Sequence, residues 1–113
     1  MRVPTTEYRI ALIDELTIEV DDNADITTVT VTGEVDFGNA DRLRTVFLDL
    51  TGGTANVGID LSGVAFMDST ALGVVIAAKK ELEENGRRLI ITALSPRARR
   101  IVEIAGLVEF LGV

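Results

Sequence analysis

The sequence predicts an α/β domain, with a mixed β-sheet of about four to five strands and three main helices packed on it. Three observations predict it. Hydrophobic residues alternate with a period near 2 between residues 16 and 35, then switch to a period near 3.6 from residue 43 onward. Two short apolar runs, Val57-Gly58-Ile59-Asp60-Leu61 and Leu89-Ile90-Ile91, read as buried strands. Each is followed, at once or after a loop, by a helix-start signal, giving the order β-β-α-β-α-β-α.

Each element has a local reason. Leu16-Thr17-Ile18-Glu19-Val20 alternates as a half-buried strand does. Asp21-Asp22-Asn23-Ala24-Asp25 is a turn, because short acidic and amide side chains bond nearby backbone groups. Val29, Val31 and Val35 then share one parity with Gly33 between them, while Thr28, Thr30, Thr32 and Glu34 take the other, which completes a hairpin. Leu43, Val46, Phe47 and Leu50 make one helical face, with Asn39 at the N-cap position, Asp41 in the first turn and Gly52-Gly53 as the stop. After the central strand, a loop through Ser62-Gly63 leads to Val64-Ala65-Phe66-Met67-Asp68. Ser69 or Asp68 caps a second helix running to about Glu84, apolar nearly all round in its first half and charged in its second, and ended by Asn85-Gly86. Ser95 as N-cap and Pro96 at the first helical position start the third helix. Its apolar face is Ala98, Ile101, Val102 and Ala105, and Gly106 ends it. Leu107-Val108-Glu109-Phe110-Leu111 is expected to add a short strand or turn.

Composition limits the chemistry. The chain has 113 residues, 47% hydrophobic and 26% charged, which suits one globular domain at residues 16–113 behind an N-terminal extension at residues 1–15. Without Cys or His there is no thiol chemistry, Cys-ligated zinc or His-based triad. No phosphate-binding glycine loop matches, so neither an enzyme site nor a cofactor is expected. A net charge of −7 argues against direct nucleic-acid binding. The N-terminus lacks a signal-peptide core, and the apolar stretch at residues 71–78 is too short to span a bilayer, so a soluble cytoplasmic protein is expected. Asp21, Asn23 and Asp25 open like a calcium loop, but Ile26 stands where Gly is needed and Thr32 where Glu is needed.

Charge is uneven along the chain. Residues 1–60 carry 4 basic and 12 acidic groups, whereas residues 61–113 carry 7 basic and 6 acidic. Arg87, Arg88, Arg97, Arg99 and Arg100 form a solvated face on the default reading, and a docking patch for an acidic partner on the other. Nothing in the sequence brings the carboxylates of Asp36 and Asp68 together as an acid/base pair.

The segment Phe66-Met67-Asp68-Ser69-Thr70-Ala71-Leu72-Gly73 places a small hydroxyl at the mouth of a helix. Alone, Ser69 reads as an N-cap. A helix start also offers free N–H groups and the positive end of a dipole, which suits an added phosphate. Asp68 is adjacent, so phosphate there would crowd two anionic groups. A partner covering the spot would face about two extra negative charges. That arrangement suits a switch that loses binding on phosphorylation.

This segment, together with Gly33-Glu34-Val35-Asp36 and Ile104-Ala105-Gly106-Leu107, resembles the STAS domain family, and within it the bacterial anti-sigma factor antagonists. The resemblance implies a STAS-like single domain that regulates sigma-factor-dependent transcription by partner switching. It implies two partners: an anti-sigma factor of the serine-kinase type, which supplies the ATP site, and a PP2C-like phosphatase that resets the cycle. It makes Ser69 the phosphoacceptor, with Thr70 as the alternative. It assigns Gly33, Asp36, Asn39, Asp68, Ser69, Thr70, Leu72 and Gly73 to the partner face. Thr70-Ala71 stands where Ser-Gly is common in the family, and the further C-terminal helix of many members is not seen before Val113. The lead-in is longer than usual, and its Tyr8, Ile10, Leu12 and Ile13 are placed to pair with a sheet edge or, in a homodimer, with another protomer. The same fold also suits a STAS subunit of a transporter or lipid-trafficking complex, or a signalling scaffold.

Overall fold

The structure, a computed structural model, describes residues 16–22 and 25–113. The extension with Tyr8, Ile10, Leu12 and Ile13, and the turn residues Asn23 and Ala24, lie outside the described residues. The elements are β1 (Leu16–Asp22), β2 (Ile26–Val35), α1 (Ala40–Thr51), β3 (Asn56–Met67), α2 (Ser69–Glu84), β4 (Leu89–Leu94), α3 (Pro96–Ile104) and α4 (Val108–Leu111). The sheet order is β1-β2-β3-β4. β1 and β2 are antiparallel, with Leu16 opposite Gly33 and Asp22 opposite Thr27. β2, β3 and β4 run parallel, joined by the helical crossovers that parallel pairing requires. The mixed sheet expected from the sequence is therefore present, with four strands among the described residues.

The alternation of β2 sorts its residues as the pleat dictates. Val29, Val31 and Val35 are fully buried, while Thr32 and Glu34 on the other parity are exposed. They pack with Ile59, Leu61 and Val64 of β3, Leu43 of α1, Val75 and Leu82 of α2 and Val102 of α3. Burying each such side chain contributes roughly 1.5–3 kcal/mol, so the core fixes where the helix starts lie. Among the described residues no helix is long and apolar enough to cross a membrane.

Four local expectations are corrected. The Ser62-Gly63 segment is not a loop, because β3 runs unbroken to Met67. Two register shifts against β2, between Thr30 and Thr32 and between Gly33 and Glu34, each take in an extra β3 residue. Glycines make this possible: Gly33 has φ +102°, and a Cβ on Gly63 would stand 3.1 Å from the Thr32 hydroxyl. Residues 107–111 hold a short helix, α4, in place of a strand or turn. Leu107, Val108 and Leu111 are spaced to turn one side inward, and Leu111 is buried. The Lys79 ammonium lies 5.6 Å from the Phe110 ring centroid and ties α4 to α2. Ala105 is exposed at the C-cap of α3, so the inward stripe of that helix is Ala98 and Val102, with Ile101 half-buried.

The fourth correction concerns charge. Arg87 belongs to no solvated face; it is buried. Its guanidinium donates to the carbonyls of Leu50 at 2.8 Å, Thr51 at 3.2 Å and Ala55 at 2.7 Å. The last carbonyls of a helix have no acceptor role inside it, and the five donors of an Arg fork match them. Arg87 thus closes the C-terminal end of α1 and the turn that leads into β3.

Candidate functional site

The C-terminal ends of β2 and β3 lie side by side, and the starts of α1 and α2 leave from them. In parallel sheets this is where binding groups collect, because strand ends and helix starts converge there. Asp68 is the N-cap of α2, so of the two residues the sequence allowed, Asp68 caps and Ser69 opens the helix. Asp68 Oδ1 accepts from the Ala71 N–H at 3.0 Å. Asp68 Oδ2 accepts from the Phe37 N–H at 3.0 Å. The Asp68 N–H donates to the Val35 carbonyl at 3.3 Å. Both carboxylate oxygens are thus engaged in holding two loops together.

The β2–α1 turn is braced from within. Asn39 Oδ1 accepts from the Asp36 N–H at 2.9 Å, and Asn39 Nδ2 donates to the Glu34 carbonyl at 2.9 Å. Asn39 stands at the N-cap position of α1, yet its side chain makes no capping bond to the helix. The Asp36 carbonyl instead accepts from the N–H groups of Asn39 at 3.1 Å and Ala40 at 2.8 Å. Asp36 Oδ1 accepts from the Gly38 N–H at 2.9 Å. This rigid turn presents Phe37 with 81% of its surface exposed.

Ser69 and Thr70 are exposed, and the Ser69 hydroxyl has no hydrogen-bond partner among the described residues. The Leu72 N–H is taken by the Asp68 carbonyl and the Ala71 N–H by the Asp68 carboxylate. The N–H groups of Ser69 and Thr70 remain as donors at the positive end of the helix dipole. A group bonded to Ser69 Oγ therefore lies at a helix start with two free backbone donors, beside the carboxylate of the preceding Asp68.

Of the residues assigned to the partner face, Asp36, Asn39, Asp68, Ser69 and Thr70 meet at this end of the molecule, and Gly73 is exposed one turn into α2. Gly33 lies two residues before the end of β2 and serves the bulge. Leu72 is 3% exposed and packs in the core, because it falls on the inward side of α2 with Val75. Sequence reasoning missed Phe37. The available signal was an aromatic inside the otherwise polar turn Asp36-Phe37-Gly38-Asn39, where burial has nothing to gain. Among the described residues no cluster of carboxylates is arranged to hold a metal ion.

The fold and this helix mouth together define a class. A model of the STAS domain matches residues 17–113, and the chain belongs to the STAS domain family. Relatives within it carry a specific description. An anti-sigma-B factor antagonist of Staphylococcus epidermidis is 34% identical over 99 residues, spanning 87% of this chain and 92% of that protein. The crystal structure of an anti-sigma factor antagonist from Mycobacterium paratuberculosis superposes with a TM-score of 0.79 at 26% identity, over 90% of this chain and 87% of that one. The Bacillus cell fate determinant SpoIIAA in its phosphorylated form matches with a TM-score of 0.67 at 22% identity, over 80% of this chain and 85% of that one, a likeness of fold.

Proposed function

We propose that this chain is an anti-sigma factor antagonist whose partner binding is switched off by phosphorylation at Ser69. Unphosphorylated, it docks on an anti-sigma factor through Phe37, Ser69, Thr70 and Gly73, and the displaced sigma factor returns to transcription in the cytoplasm. The observation that carries this reading is the exposed, unpartnered Ser69 hydroxyl beside an aspartate whose two oxygens are already committed. The relatives described as antagonists support the class of partner.

The group transfer balances simply. Ser69 Oγ attacks the γ-phosphorus of ATP held by a kinase-type partner, and the bond to the ADP oxygen breaks. The hydroxyl proton passes to a base on the kinase. The products are ADP and phosphoserine. A PP2C-like phosphatase returns the serine by adding water and releasing inorganic phosphate. On this chain the phosphate meets the N–H groups of Ser69 and Thr70, so the modified helix stays folded. For the partner the cost is different: about two added charges beside Asp68 must be desolvated against a surface that fitted a neutral hydroxyl.

The test is incubation with a candidate kinase-type anti-sigma factor and ATP, with the modified residue located by mass spectrometry. Transfer to Ser69 is expected, and none to a Ser69→Ala variant that still binds. Absence of transfer to both Ser69 and Thr70 sinks the kinase switch.

A further inference from the structure

We propose that the cleft between β3 and α3 is a second docking surface, which takes an acidic helix with an apolar centre from a partner protein. It is lined by Phe66, Met67, Arg97, Arg100, Ile101 and Ile104. Two of its apolar groups are open, with Ile104 69% and Phe66 41% exposed, over a floor of buried Met67 and half-buried Ile101. Isolated exposed apolar residues are ordinary, but these two border the same cleft as Arg97 and Arg100.

Charge selects the occupant. Arg97 and Arg100 are exposed and make no ion pair among the described residues, whereas Arg99 on the same helix lies 4.0 Å from Glu103. In a chain of net charge −7, two unpaired guanidinium groups beside an apolar floor are a local reversal of sign. The carboxylates that border the cleft, Glu34 opposite Phe66 and Asp68 after Met67, lie on the strand side. The acidic groups of a partner are therefore drawn to the α3 side, where bidentate Arg–carboxylate pairs can form.

Shape selects a helix. Arg97, Ile101 and Ile104 follow one another at i, i+4 and i+7, a stripe along one face of α3 of the kind that lies along another helix. Ala98 and Val102, both fully buried, anchor the adjoining side of α3, and Ile101 is half-buried against the core, which leaves Arg97, Arg100 and Ile104 exposed beside the cleft. An anionic membrane is disfavoured by the net charge, and a concave cleft suits inserted side chains better than a flat headgroup layer.

Ser69 is not among the residues that line this surface, so the experiment uses the unmodified protein. The experiment titrates isotope-labelled full-length protein with two synthetic amphipathic helical peptides of one leucine pattern, flanked in one by glutamates and in the other by lysines. The glutamate peptide is expected to shift the amide signals of α3 and Phe66, and the lysine peptide to leave them in place. Arg97→Glu with Arg100→Glu should weaken the glutamate peptide at least about tenfold. Ile104→Asp should weaken it through the apolar floor. Equal binding of both peptides, no binding of the glutamate peptide, or shifts confined to the Ser69 end overturn the proposal. So does tighter binding to phosphatidylglycerol vesicles, or self-association that the double Arg variant abolishes. Failure of the kinase switch leaves these readouts unchanged, and their failure leaves the switch standing.

Discussion

The backbone N–H of Phe37 donates to Oδ2 of Asp68 across 3.0 Å, joining two loops whose residues are 31 apart in sequence. One carboxylate thereby fixes an exposed aromatic and an exposed hydroxyl at a set spacing, because its other oxygen caps the helix that Ser69 opens. Preorganisation of this kind reduces the ordering cost of association.

Replacing Asp68 should therefore act on both folding and binding. Asp68→Ala removes the cap and the inter-loop bond together, and a loss of about 1–3 kcal/mol is expected in urea unfolding. Asp68→Asn keeps one acceptor oxygen and should recover part of it. Equal stability of all three proteins contradicts the clamp.

Phe37 makes the opposite case. With 81% of its surface exposed, Phe37→Ala should change stability by no more than about 0.5 kcal/mol. Binding to the anti-sigma factor should fall by about 2 kcal/mol, as for aromatic anchors at the centre of an interface. Titration calorimetry and thermal unfolding of the same samples separate the two effects.

Gly73 is a helical residue with nothing within 4 Å of where a Cβ would stand. The fold gives no reason for glycine there, and Gly73→Ala should stabilise the helix by about 0.5–1 kcal/mol. Partner affinity should fall at the same time, because the close approach of another backbone is lost. A rise in melting temperature with unchanged affinity removes Gly73 from the partner face.

Asp60 supplies a pH dependence away from the site. Hydrogen bonds from the Ser62 side chain and then its backbone N–H, at 2.8 Å, hold the Asp60 carboxyl below the usual aspartate range, against a smaller opposing effect of burial. A depressed folded value means that the contribution is fully present above the unfolded pKa of about 3.9 and is lost as pH falls toward the folded value. Asp60→Asn should flatten that part of the acid limb in urea midpoints measured against pH. An acid limb identical to the parent's assigns it to other carboxylates.

Much of the fold was legible because its causes are local. The parity of Val29, Val31 and Val35, the helical spacing of Leu43 and Phe47, and the Ser95-Pro96 start all follow from neighbours in sequence, and the Ser95 hydroxyl does cap at 3.0 Å. The helix mouth at Ser69 was legible for the same reason. What was hidden depends on contacts between distant segments. Arg87 looks like a surface charge until three carbonyls more than 30 residues away turn toward it. Ser62-Gly63 looks like a loop until β2 accepts it as a bulge. Phe37 gains its role only when Asp68 arrives beside it.

The most direct measurement compares the affinity of the anti-sigma factor for the protein before and after stoichiometric phosphorylation at Ser69, by calorimetry at fixed salt. A loss of about 100-fold or more, with the fold intact by circular dichroism, is the result expected from burying a doubly charged group beside Asp68. Equal affinity of the two forms contradicts it.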